Sequence, residues 1–158
     1  MRSKPAPKKL TVPDPIYHHS LVTQLINRSM RDGKKAVAQK QVYKAFELLG
    51  VQTKQEPLPL FLAAIENIRP QMEVRSRRIG GAAYQVPTPV RADRRDSLAI
   101  RWLLMATLAR PNSTYPTFAQ KLCAEIVEAA ANSGAAVKTK LDTHRMAEAN
   151  KAFAHFRW

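Results

Sequence analysis

The helical period of this chain breaks once. Over most of its 158 residues, apolar side chains recur every three or four positions, as they do along one face of a helix. From Met72 to Val90 that stripe disappears, and Val74, Ile79, Tyr84, Val86 and Val90 suit extended backbone instead. In the middle stands RRIGGAAYQVP (77–87), which holds two of only five glycines, side by side. Gly80-Gly81 is a two-residue hairpin turn signal, and such a turn pairs Ile79 with Ala82, Arg77 with Tyr84 and Arg75 with Val86. Pro87 and Pro89 cannot donate ladder hydrogen bonds, so the stretch is a ribbon with free edges and not the middle of a sheet.

Helical patterns lie on both sides of it. Segment 20–31 carries Leu21, Val22, Leu25, Ile26 and Met30, with Ser20 as N-cap and Asp32-Gly33 as stop. Segment 34–49 carries Val42, Ala45, Phe46 and Leu49, and Gly50 is expected to end it. Segment 57–68 places Leu58, Phe61, Ile65 and Ile68 at helical steps, with Pro57 in the first turn and Arg69-Pro70 as its close. Helix resumes near Asp93 on a stripe of Leu98, Trp102, Met105 and Ala109, with Trp102 assigned to the core. After a loop at 110–116, Phe118, Leu122, Ile126 and Ala130 mark another helix, ended by Asn132-Ser133-Gly134. The last begins at Val137 and carries Leu141, Ala149, Phe153 and Phe156.

The expected fold is mainly α: a bundle of about six helices with one protruding two-stranded β-hairpin (residues 72–90) and a disordered basic N-terminal arm. Residues 1–13 form the arm, and 14–158 form one helical domain. With 45% hydrophobic residues the chain can bury a core. A two-stranded ribbon is marginal by itself in water, so its foot must lean on the helices.

Charge limits the function. Lys and Arg number 26 against 12 Asp and Glu, a formal net charge of +14. Such a balance favours a polyanionic partner, a nucleic acid or an anionic membrane surface, over general solubility. No apolar run reaches the ~18 residues of a membrane span. MRSKPAPKKL has basic residues but no apolar stretch behind them, unlike a secretory signal. The single cysteine, Cys123 in AQKLCAEIVEAA, excludes an internal disulfide and suits a buried structural thiol. His18, His19, His144 and His155 form no metal-ligand spacing, and there is no CxxC, no GxSxG and no GxxxxGK[ST]. Asp142 and Glu148 face different ways on a helix. No catalytic residue, metal or cofactor is expected.

The basic residues cluster. Between Arg69 and Arg101 stand eight arginines (Arg69, Arg75, Arg77, Arg78, Arg91, Arg94, Arg95 and Arg101) against Glu73, Asp93 and Asp96. Guanidinium forks bind phosphate bidentately and stack on bases, which lysine cannot do. Arg94 and Arg95 crowd a helix start, where cations oppose the dipole and a phosphate would resolve the conflict. A second cluster is Arg31, Lys34, Lys35, Lys40 and Lys44, and a third is the arm, with Arg2, Lys4, Lys8 and Lys9. Residues 45–68 hold only Lys54 against Glu47, Glu56 and Glu66, so the charge has a direction. Tyr84, opposite Arg77, can either stack on a base or pack across the ribbon. A DNA-bending architectural protein is the main rival reading, but Gly-Gly flanked by Ile79 and Ala82 makes a poor intercalating wedge. A membrane-surface helix should be strongly amphipathic, whereas much of this charge lies on a ribbon and an arm.

VRSRRIGGAAYQVP at 74–87, DGKK at 32–35, SLAIRW at 97–102 and HRMAEANKAFAHFRW at 144–158 together resemble the bacterial and organellar type of ribosomal protein seven of the small subunit. The resemblance runs from DPIY at 14–17 to the C-terminus, and PNSTYPTF at 111–118 is longer than the family's usual connection. It implies a helical body with a β-ribbon, bound as a monomer to the 3′ major (head) domain of small-subunit ribosomal RNA. It also implies a role in head assembly, beside neighbouring small-subunit proteins and close to exit-site tRNA and mRNA, on a bacterial cytoplasmic or organellar ribosome. RNA contact carries over to Arg2, Lys4, Lys8, Lys9, Lys34, Lys35, Arg75, Arg77, Arg78, Arg91, Arg94, Arg95 and Arg101. Proximity to the exit site carries over to Arg78, Ile79, Gly80, Gly81 and Ala82 at the tip, and to His144 and Arg145.

Overall fold

The computed structural model describes residues 11–156, so the N-terminal arm up to Leu10, with Arg2, Lys4, Lys8 and Lys9, lies outside the described residues. Among those described, six α-helices, one hairpin and a terminal 3-10 turn follow in the order α1 (Ser20–Ser29), α2 (Lys35–Thr53), α3 (Pro57–Ile68), β1 (Met72–Ile79), β2 (Ala82–Pro89), α4 (Ala92–Ala109), α5 (Phe118–Ala130), α6 (Gly134–Ala149) and the turn Lys151–Phe156. The mainly helical class with one hairpin is as the periodicity predicts. None of these helices is long and apolar enough to cross a membrane.

The central helix is α5, which packs against α2, α3, α4 and α6. Its Leu122 and Ile126 meet a core of Leu25, Phe46, Leu49, Phe61, Ile65 and Leu103, all fully buried. Phe46 and Phe61 lie with ring centroids 5.4 Å apart. Each fully buried side chain of this size contributes about 1.5–3 kcal/mol. The α5 start is fixed by a capping box, in which Thr117 accepts from the Gln120 N–H and Gln120 accepts from the Thr117 N–H.

Several boundaries differ from the sequence expectation. The N-cap of α1 is His19, whose Nδ1 accepts the Leu21 N–H at 3.2 Å, in place of Ser20. Gly50 does not end α2. The helix runs on to Thr53 and closes on Lys54 in the left-handed region (φ 54°). A glycine inside a helix costs only about 1 kcal/mol, which the packing of buried Leu49 offsets. Met105 is 61% exposed, and the core face of α4 is rotated about one residue from the expected stripe, onto Ala99, Ile100, Leu103, Ala106 and Thr107. Trp102 is half-buried at the flank of that core. Leu141 is 56% exposed, and the last helix breaks at Asn150 before Phe153 and Phe156.

Gly134 opens α6 instead of closing α5, which Asn132 ends in the left-handed region. At Gly134 φ is +90°, and an added Cβ would stand 3.1 Å from the Glu128 Cβ and 3.2 Å from Glu125 Oε1. The close approach serves Glu125. This carboxylate is fully buried in α5, and its Oε1 accepts the Ala136 N–H at 3.0 Å, capping α6 from a neighbouring helix. Its Oε2 accepts from Arg110 Nε at 2.8 Å and Nη2 at 2.6 Å. The ends of α4, α5 and α6 thus converge on one ion pair. Removing the cation leaves a buried carboxylate without its counter-charge. Arg110→Ala is therefore expected to lower stability by about 3 kcal/mol, measured by urea unfolding, with a loss under about 1 kcal/mol contradicting this role.

Candidate nucleic-acid interface

The hairpin register matches the sequence expectation residue for residue: Ile79 pairs with Ala82, Arg77 with Tyr84, Arg75 with Val86 and Glu73 with Thr88. Gly80 and Gly81 both have positive φ (56° and 90°), as a primed two-residue turn requires. Paired residues share a face, so Glu73, Arg75 and Arg77 lie on one side of the ribbon with Thr88, Val86 and Tyr84, and Arg78 lies on the other. Arg77, Arg78, Gly80, Gly81 and Ala82 are exposed and Ile79 is half-buried. Tyr84 packs inside the protein, with ring centroids 5.3 Å from Phe153 and 5.6 Å from Phe156. The terminal 3-10 turn therefore braces the middle of the ribbon.

The foot is organised by Glu73, which is buried at 6% exposure. Its Oε1 accepts from Arg75 Nε at 2.5 Å and its Oε2 from Arg94 Nε at 2.7 Å. Burial pushes the Glu73 pKa up, but hydrogen bonds from Arg94 and Arg75 and their charges outweigh it, and the net shift is below the ordinary carboxylate value. Arg95 Nε donates to the Val90 carbonyl at 3.0 Å, and Arg69 Nε donates to Asp96 Oδ1 at 2.6 Å. Arg91 and Arg101 are exposed. The conflict between Arg94 and the α4 dipole is thus already relieved inside the protein by Glu73, with Asp93 also in the first turn. Sequence reasoning counted Glu73 only as opposing charge; its position directly before the arginine run, on a predicted strand, was the available signal.

At the base of β1, Gln71 is held at both ends. Its N–H donates to His144 Nε2 at 3.0 Å, and its carbonyl accepts from the Val90 N–H at 3.0 Å. Burial, and then the charge of Lys140, lowers the His144 pKa, which keeps Nε2 an acceptor. Arg145 is exposed, 3.8 Å from Asp142.

The second cluster flanks the junction of α1 and α2. Arg31, Lys34 and Lys35 are exposed, and Lys34 is the N-cap of α2 without a side-chain cap. Arg28 was not singled out from the sequence. Its Nη1 donates to Ser97 Oγ in α4 at 3.0 Å. This bond ties the end of α1 to the start of α4, so the basic residues at 28–35 and at 91–101 neighbour each other despite their distance in sequence.

Comparison with known proteins fits this arrangement. Residues 1–151 match the family described as Ribosomal protein S7p/S5e. The chain belongs to that family. Among its relatives, each described as small ribosomal subunit protein uS7, are those of Thermotoga maritima (51% identical over 158 residues), Kosmotoga olearia (53% over 158 residues) and Desulforamulus reducens (52% over 152 residues). The first two alignments cover all of both chains, and the third covers 96% of each. As a member of the S7p/S5e family the chain is a structural, RNA-binding component of the small ribosomal subunit and not an enzyme. Membership also sets aside the DNA-bending and membrane-surface readings.

The Glu73 geometry reverses one simple expectation. Helix-dipole reasoning alone makes Arg94 dispensable for stability. Because it pairs a buried carboxylate, Arg94→Ala is expected to cost about 1 kcal/mol at neutral pH, a low figure for a charge-assisted bond because Arg94 is half exposed. A carboxylate whose folded pKa is depressed contributes stability above its unfolded value, and loses it as pH falls through the folded one. Urea unfolding should therefore separate parent and variant at pH 7 and bring them progressively together as pH falls below the ordinary carboxylate value and through the lower folded one. A gap that persists into acid would assign the loss to something other than this pair.

Proposed function

We propose that the protein binds the 3′ major (head) domain of small-subunit ribosomal RNA, organises assembly of the head, and presents its ribbon tip toward exit-site tRNA and mRNA. The observation that carries the RNA-docking part is the neighbourhood of three basic groups: the α1–α2 junction, the start of α4 and the foot of the ribbon. Arg31, Lys34, Lys35, Arg75, Arg91, Arg94 and Arg101 on these elements are exposed. Arg95 is half-buried behind them and acts by fixing the Val90 backbone. The exposed tip, from Arg78 to Ala82, extends beyond the Tyr84 brace and is the element available to a transient ligand. His144 acts for the same end indirectly, by holding Gln71 and so the ribbon base, while Arg145 beside it is exposed and only loosely paired with Asp142. The basic arm precedes one helical unit from residue 14, and the chain works as a monomer among neighbouring small-subunit proteins. Its relatives being bacterial, the setting is the cytoplasmic ribosome of a bacterium.

Docking of this kind is electrostatic in bulk, since each neutralised phosphate releases counterions. With six or more phosphates engaged, log affinity for a head-domain RNA fragment should fall against log salt with a slope of roughly −4 or steeper. A slope near −1, as for a single phosphate contact, contradicts a multi-arginine docking face.

The tip and the foot should separate in function. Replacing residues 78–83 with Asn-Gly keeps Arg77 opposite Tyr84 across a two-residue turn and touches no core residue. Small subunits carrying the shortened protein are expected to assemble normally and to release exit-site tRNA faster, each measured separately. Failed assembly with unaltered tRNA release would make the tip a structural RNA anchor.

A further inference from the structure

We propose that the recess at the foot of the ribbon is a built pocket for a single phosphodiester group, with the Thr88 hydroxyl as its floor. The inference rests on the RNA-docking reading above and adds a specific ligand site to it. The recess is open, about 580 Å³, and is lined by Arg75, Thr88, Pro89, Arg91 and Arg94. Three guanidinium groups reach it from two elements: Arg75 from β1, and Arg91 and Arg94 from the N-cap and first turn of α4. The Arg91 cap makes no side-chain hydrogen bond to the helix, so the positive end of an 18-residue helix is left uncapped by its own N-cap residue.

Thr88 supplies the independent observation. It is only 9% exposed, and its Oγ1 has no hydrogen-bond partner among the described residues. Buried hydroxyls are nearly always paired, and one without a partner calls for an explanation. Thr88 stands directly opposite Glu73 in the register, yet the Glu73 oxygens are taken by Arg75 and Arg94. Those bonds fix one edge of each guanidinium, and each keeps further N–H donors. Glu73 is thus a positioning residue: it holds two arginines at the recess that Thr88 also lines. Three guanidinium groups and a hydroxyl form a donor set that suits an anion with several acceptor oxygens, and a phosphodiester provides them. Three guanidinium charges against Glu73, with Asp93 in the first turn of α4, still leave the recess cationic. Arg75 and Arg94 are about half exposed and line the open recess, so their remaining donors are accessible to a phosphate there.

Thr88→Val in the full chain is the test, because it removes the hydroxyl and keeps the shape. The melting temperature of the free protein should stay level or rise, since a buried unpaired group is lost. Affinity for the head-domain RNA fragment should fall about tenfold, the scale of one charge-assisted hydrogen bond. Thr88→Ser should restore most of it, and the salt slope should not change, because no charge is removed. A titration with inorganic phosphate, followed by NMR at the Ala92 amide, distinguishes the source of the anion. A shift in the parent that Thr88→Val abolishes shows a general phosphate pocket. Silence in the parent, with the RNA loss intact, shows a pocket that takes a phosphodiester only within folded RNA. If Thr88→Val binds RNA like the parent while Arg91→Ala binds weakly, the pocket is wrong and the docking face stands. If neither variant weakens binding, the pocket and the docking reading both fail. A fall in the melting temperature of Thr88→Val would make the hydroxyl a structural group and overturn the pocket.

Discussion

In a chain with 26 basic and 12 acidic side chains, the carboxylate of Glu73 is buried, and the basic face takes its geometry from that burial. A buried carboxylate must be compensated, and only groups within hydrogen-bond reach can do it. Glu73 draws Arg75 from its own strand and Arg94 from α4, which are otherwise separate elements. The ribbon foot is thereby fastened to the start of α4. The two nearest guanidinium groups are held in one place instead of sweeping a volume of solvent. A surface of unpaired arginines would repel itself apart; one fixed by an internal anion is preorganised for an external one.

The helical body obeys the same constraint at its far side. Glu125 is fully buried at the centre of the bundle and joins the C-terminal end of α4, through Arg110, to the first turn of α6, through the Ala136 N–H. Lys121, in α5, returns the contact by donating to the Arg110 carbonyl, an orphan acceptor at the helix end. Glu73 and Glu125, both buried, thus sit where elements meet. Many of the remaining basic residues, among them Arg31, Lys34, Lys35, Arg91 and Arg101, face outward. Body and ribbon are consequently separable: the apolar cluster holds the helices together without any residue of β1 or β2.

Parts of this were legible in the sequence for stateable reasons. The hairpin register followed from Gly80-Gly81, because a two-residue turn leaves no freedom in which residues pair. The bounds of α3 followed from Pro57 and Pro70, since proline fixes both where a helix can start and where it must have stopped. Glycine was less informative. Gly50 lies inside a helix, and Gly134 starts one, because the packing of Leu49 and the approach of Glu125 decided their roles. Periodicity named the right helix in α4 but the wrong edge of its face, hence exposed Met105. The basic residues of the face were visible as clusters. Their partners were not, because the Glu73–Arg94 and Arg28–Ser97 contacts bridge elements distant in sequence. Nothing in the sequence marks the unpaired Thr88 hydroxyl, which is defined only by what surrounds it.

The brace at Tyr84 sets how much of the ribbon can move. A bare two-stranded ribbon frays from its free end and is marginal along its whole length. Here the first support is the Glu73 foot, the second is Gln71 held by His144, and the third is Tyr84 against Phe153 and Phe156. Tyr84 pairs with Arg77, so everything from Arg77 downward is tied to the body and only the residues beyond it are not. The unsupported length is therefore Arg78 to Ala83: the Arg78–Ala83 and Ile79–Ala82 rungs and the Gly80-Gly81 turn. That is short enough to keep its position and too short to keep a core. It can yield at the tip without loosening the arginines at the foot, which is the mechanical condition that the proposed division of labour between foot and tip requires.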